Sequence, residues 1–180
     1  RAVLDVDPMD ADAINRLDAL LVKTQAWRDL ADLLDRRLKY AAGTSEIVDL
    51  RYRLGVLFET ELQSPERAVD SYRLAIGVDP SHEPSITALE GFLDSPDERV
   101  AAAAVLKPVY EARGAWTSLI RTYEIHLVAA EDPHKRIEYT RAIAGPSRSR
   151  KKSTNMVSRN EVTLLNVPST TVPPMPANLV

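Results

Sequence analysis

Three histidines, His82, His126 and His134, are the side chains best able to move a proton or hold a metal near neutral pH. None has a second histidine three or four positions away, and neither His-x-x-x-His nor His-Glu-x-x-His occurs. Without such a pair no helix face can present two imidazoles to one ion, so all three read as surface or groove-edge residues. Asp29, Asp32 and Asp35, and Glu59 with Glu61, lie near basic residues at helical spacing. That spacing favours solvated i,i+4 pairs along one helix, whereas acid–base catalysis needs carboxylates facing each other across a cleft. The glycines stand singly, so no phosphate-cradling loop exists, and no Gly-x-Ser-x-Gly or Ser-x-x-Lys context singles out a nucleophile. Cysteine is absent, which removes disulfides, thiolate metal sites, iron–sulfur clusters and thiol nucleophiles. These residue types predict no enzyme, no cofactor and no metal site.

The elements that must carry these residues are helical. Apolar residues recur with helical period through the first 144 positions, with no alternating β-branched run. The spacing predicts helices over 11–24, with Asp10 as N-cap, and over 27–42, closed by a left-handed Gly43. Thr44 or Ser45 caps the next, which ends before Ser64-Pro65; its partner runs from Pro65 to a stop at Asp79-Pro80. Helices over 82–93, 96–113, 116–130 and 133–145 follow. Ser95 is expected as cap and Pro96 as first residue of the helix over 96–113, with a kink or break near Pro108.

Composition is ordinary for a folded soluble chain, at 44% hydrophobic and 27% charged. The longest apolar run, Val100 to Leu106, falls far short of the ~20 residues that a membrane-spanning helix needs. With no apolar leader either, a cytoplasmic location is expected, and Arg1 reads as a cut within a longer chain. Residues 1–144 hold 18 Lys and Arg against 25 Asp and Glu, or −7, whereas 145–180 hold 5 against 1, or +4. The acidic body argues against nucleic acid as its main ligand.

Two patterns return along the chain. Val6-Asp7-Pro8 with Ile14, Leu17 and Leu21 recurs as Val78-Asp79-Pro80 with Ile86, Leu89 and Leu93; Ala26-Trp27 with Leu30, Leu34 and Leu38 recurs as Ala115-Trp116 with Leu119, Tyr123 and Leu127. Leu54, Gly55, Phe58, Ala68, Tyr72, Ala75 and Asp79-Pro80 together resemble the tetratricopeptide repeat (TPR) pattern, with one extra residue in the turn between helices. Leu106, Tyr110, Gly114, Trp116, Leu119, Tyr123 and Asp132-Pro133 resemble it less closely. Ile14, Leu17, Leu21, Trp27, Leu30 and Leu34 form a degenerate third unit lacking the glycine and the terminal Asp-Pro. A half-repeat is missing between Pro80 and Val100. Phe58, Tyr72, Tyr110, Trp116 and Tyr123 are expected to fill the space between hairpins, and Gly55 and Ala68 to let helix axes approach.

The resemblance implies an all-α fold, a right-handed α-solenoid of antiparallel helix hairpins with about eight helices, covering 1–144 and followed by a disordered Ser/Thr/Pro-rich basic tail over 145–180. It also implies a protein–protein interaction scaffold whose first helices line a groove. Asp12, Asn15 and Arg16, then Asp49, Arg53 and Glu59, then Thr87 and Glu90 are the groove candidates. The partner expected is a protein or peptide of unknown identity; the alternative is a spacer, assembly or self-association segment of a larger regulatory protein, through truncated solenoid ends, and the third reading an RNA-binding helical repeat, with nucleic acid disfavoured and no membrane. A clamp for a terminal carboxylate is not expected, because no aligned Lys, Asn and Arg set accompanies Asn15. The loss of pattern at Ala144 suggests a tail foreign to the repeat.

Overall fold

The computed structural model describes residues 11–145. The expected Asp10 cap, the Val6-Asp7-Pro8 motif and the tail after Gly145 lie outside these residues. The described part is all-helical, with no strand. Its elements are α1 (Ala11–Lys23), α2 (Trp27–Leu38), α3 (Thr44–Thr60), α4 (Pro65–Val78), α5 (Glu83–Gly91), a 3-10 turn (Phe92–Asp94), α6 (Arg99–Arg113), α7 (Trp116–Ala129) and α8 over 133–145. Sequential neighbours pack against each other, most extensively α3 with α4 and α6 with α7. The short α5 and its 3-10 turn stand between these two hairpins, touching α4 on one side and α6 on the other. Thus α6 takes α7 as its main partner rather than α5.

The repeat is clearest in the turns. After α1 and after α6 the chain closes with the same hydrogen bonds: Ala26 N–H donates to Leu21 and Ala115 N–H to Tyr110, while Gln25 and Gly114 N–H donate to Val22 and Glu111. This is the Schellman arrangement, which needs a left-handed residue; Gln25 (φ 54°) and Gly114 (φ 63°) supply it. Ala26 (φ −81°, ψ 63°) and Ala115 (φ −79°, ψ 68°) then make an inverse γ-turn, closed by Trp27 and Trp116 N–H donating to Gln25 and Gly114. Gln25 thus stands in the backbone role of the glycine that the first unit lacks. Between α3 and α4 the left-handed residue is Gln63 (φ 47°), and the loop is one residue wider, with Ser64 N–H reaching back to Phe58. The Gln63 side-chain amide donates to the carbonyl of Thr60 at 2.8 Å, satisfying an end-of-helix acceptor.

Several expected boundaries move. α2 ends at Leu38, and Gly43 (φ −91°, ψ 136°) is extended: it is the N-cap of α3 and does not stop α2, and neither Thr44 nor Ser45 takes the cap position. α6 starts at Arg99 with Glu98 as N-cap, because Phe92 and Leu93 are drawn into the core by the 3-10 turn and Ser95 to Glu98 form a turn beyond it. There the Ser95 hydroxyl donates to the buried Glu98 carboxylate. Pro108 lies inside α6, which continues through it. The carbonyl that loses its donor belongs to Ala104, an exposed residue whose backbone water can reach.

One apolar core runs through the described residues from Leu21 to Leu119, with Leu34, Leu54, Tyr72, Leu89 and Leu106 essentially sealed. Phe58, Tyr72 and Tyr110 are core as expected, and Tyr123 is half-buried. Trp116 is not: at 53% exposure it projects from the first residue of α7, where no later element covers it among the described residues, whereas Trp27 at the matching place is half-buried against the core.

Candidate functional site

The eight residues expected in a groove divide into two groups. Three are held within the fold. Arg53 on α3 makes two 2.6 Å hydrogen bonds to the Asp18 carboxylate on α1, a bidentate pair that ties the first hairpin to the second. Glu59 accepts from the Tyr72 hydroxyl at 2.7 Å, and Glu90 accepts from Tyr110 at 2.7 Å. Asp12, Asn15 and Arg16 on α1, Asp49 on α3 and Thr87 on α5 are exposed. None of the eight lines the groove described below.

That groove is an open cavity of about 990 Å³ between α4 and α6. From α6 it receives Ala101, Ala104, Val105, Pro108 and Ala112, which fall at helical spacing on one face. The opposite face of the same helix, with Ala102, Ala103, Leu106 and Tyr110, is buried in the core. A helix apolar on both faces is normally covered on both. From α4 come Val69, Ile76 and Gly77, and a side chain added at Gly77 would meet nothing within 4 Å. Small residues on both walls let an incoming backbone approach closely.

Charge is confined to the rim. Arg73 pairs with Asp70 at 3.0 Å, and Arg113 with Glu83 of α5 at 2.8 Å, so both rim cations already have carboxylate partners. Asp79 accepts from the Ser81 hydroxyl at 2.6 Å and the Ser81 N–H at 2.9 Å. These donors hold its carboxyl below the usual carboxylate range, so it is ionised at neutral pH. Asp132 repeats the motif, accepting from His134 N–H at 2.9 Å ahead of α8. Asp-Pro is therefore a turn that starts the next element as well as a stop for the last.

Burial pushes the Tyr72 and Tyr110 hydroxyls well above the ordinary tyrosine range, reinforced by Glu59 and Glu90, which accept from them. Such phenols stay protonated and serve as fixed donors. His82 is half-buried: its Nδ1 lies 2.8 Å from the Ser85 hydroxyl, and its ring meets Tyr52 edge-on at 5.4 Å. His126 stacks on Tyr139 of α8 at 5.5 Å. Among the described residues, no group of three or more acidic or imidazole side chains could hold a metal, and no helix is long and apolar enough to cross a membrane.

Compared with known proteins, the chain matches no family model, no curated protein and no solved structure. The groove was within reach of the sequence: Ala101, Ala104, Val105, Pro108 and Ala112 form a stripe on the side of α6 opposite Leu106 and Tyr110. Attention to distinctive polar residues passed over it, because alanine carries no chemistry of its own.

Proposed function

We propose that the chain is a non-catalytic interaction module, a right-handed TPR-like α-solenoid that binds a helix or extended segment of a polypeptide. The observation that carries this reading is the second apolar face of α6, open in a groove wide enough for one helix. The recurring left-handed turn after α1, α3 and α6 supports the repeat architecture. The exposed Asp12, Asn15, Arg16, Asp49 and Thr87 would add polar contacts elsewhere on the surface.

The test is selection of amphipathic helical peptides from a display library against the whole chain, followed by affinity measurement. Ala104→Glu, which places a charge on the exposed groove face, should weaken the selected peptides at least tenfold, while circular dichroism stays unchanged. Peptides that bind equally well to this variant would refute the groove as the binding site.

A second reading, self-association, is favoured by a separate observation. Trp116, Val128 and Ile137 are 53%, 72% and 50% exposed on α7 and α8, at the end of the described array. Mass by light scattering that rises with protein concentration, and falls back on Trp116→Ser, would favour it.

A further inference from the structure

We infer that the occupant of the α4/α6 groove is a segment of this same chain, residues 157–167, so that the groove is self-covered until a competing helix displaces it. The inference rests on the reading of the groove as a helix site. It begins with the sequence Val157-Ser158-Arg159-Asn160-Glu161-Val162-Thr163-Leu164-Leu165-Asn166-Val167, followed by Pro168. Ser158 and Glu161 stand three apart immediately before an apolar run, which is the signature of a helix start, and Pro168 sets its end. After Gly145 no other stretch gathers as many aliphatic residues. A helix this short is unstable alone in water and needs a surface to fold against.

Size, reach and charge all suit the groove. A nine-residue helix is roughly 13 Å long and about 10 Å across, a cylinder of about 1,000 Å³, which compares with the groove's 990 Å³. Val162, Leu164 and Leu165 would share one broad apolar face toward Ala101, Ala104 and Val105, with Val167 off that face beside the terminating Pro168. α8 packs on α7 and α7 on α6, so the groove lies about two helix spacings, roughly 20 Å, from the end of the described chain. The linker from Gly145 to Val162 spans about 22 Å on average if flexible, and far more when extended. The body carries −7 and the tail +4, with Arg148, Arg150, Lys151 and Lys152 just ahead of the segment. Asp79 on the groove rim is an ionised carboxylate bonded by neutral donors, and so remains free to attract that basic run.

The absence of cysteine makes a crosslinking test direct. The full chain carrying Ala104→Cys and Leu165→Cys is oxidised mildly, and disulfide formation is followed on non-reducing gels. The expected result is a rapid monomeric crosslink whose rate does not change with protein concentration and falls at least tenfold when Val162→Glu is added. Tethering alone would give the same rate with and without that charge, and equal rates overturn the inference. Crosslinked dimers whose yield rises with concentration overturn it too, and make the groove an interface between copies. If display-selected peptides still need an intact Ala104 while the crosslink is insensitive to Val162→Glu, the helix-binding function stands and the tail is excluded as occupant.

Discussion

The hairpins α3/α4 and α6/α7 are built on one plan and packed to different depths. Leu54, Phe58 and Glu59 of the first correspond to Leu106, Tyr110 and Glu111 of the second. In both, a tyrosine on the second helix donates to a glutamate on the first: Tyr72 to Glu59 at 2.7 Å and Tyr123 to Glu111 at 2.9 Å. The difference is one residue. Where the first hairpin has Gly55, the second has Lys107, and a Cβ at Gly55 would lie 2.3 Å from the Tyr72 ring. The glycine lets Tyr72 sink to zero exposure between Tyr52 and Phe92. At Lys107 the tyrosine stays half-buried, and the ammonium sits 5.3 Å from the Tyr123 ring centroid instead. A missing side chain sets the depth of the latch, and the same hydrogen bond survives at either depth.

The largest expected contrast follows from that depth. Tyr72→Ala empties a sealed site and should cost about 3–5 kcal/mol, whereas Tyr123→Ala, at a half-exposed site, should cost about 1–2 kcal/mol. Urea denaturation of the two variants measures both, and equal losses would show that the hairpins do not differ in packing. Next comes the glycine itself. Gly55→Ala gains roughly 1 kcal/mol of helix propensity, yet it must push a fully enclosed ring. We expect a net loss of about 1–3 kcal/mol. Lys107→Ala removes only a partly exposed cation–π contact and should stay below about 1 kcal/mol.

These two hairpins also divide what was legible in the sequence from what was not. Helix positions, the hairpin from Leu54 to Pro80, and the core roles of Phe58, Tyr72 and Tyr110 followed from period and residue type, because burial of large apolar groups dominates local energetics. Trp116 misled because tryptophan was read as core by type, whereas its burial depends on whether a later element packs over the start of α7, and α8 does not cover it. Gly43 misled because a glycine between helices suits a left-handed stop or an extended N-cap, and only the length of the connection decides. Arg53, Glu59 and Glu90 were seen as polar residues on first helices, but their partners Asp18, Tyr72 and Tyr110 lie on other helices and were hidden until the chain was folded. Arg53 and Asp18 lie 35 positions apart.

The turns allow a smaller test of how alike the units are. Gly114→Ala forces a side chain into φ 63° and should cost about 1 kcal/mol, while Gln25→Gly relieves the same strain and should gain a few tenths to 1 kcal/mol. Gln63→Gly relieves its backbone as well but forfeits the amide bond to Thr60, so its gain should be smaller than that of Gln25→Gly. If the two glutamine variants respond alike, that amide bond contributes nothing to the wider turn.

The smallest effect separates the hairpins through pH. His126 on α7 is held below the ordinary histidine range, first by burial and then by the charge of Lys107, the residue that stands where Gly55 does. A histidine harder to protonate folded than unfolded makes the unfolded chain bind more protons as the solution is acidified. Its contribution to stability is therefore complete above the unfolded value of about 6.5 and is lost as pH falls through it toward the folded value. His126→Gln should flatten the stability profile between about pH 7 and 5. Asp79 acts in the same direction at lower pH, since its depressed carboxyl must be protonated before its bonds to Ser81 are lost, so the two windows stay separate. Lys107→Met should raise the His126 titration midpoint in NMR. The corresponding change in the other hairpin, Gly55→Ala, should leave that midpoint where it is. A midpoint unmoved by Lys107→Met would leave burial against Tyr139 as the sole cause.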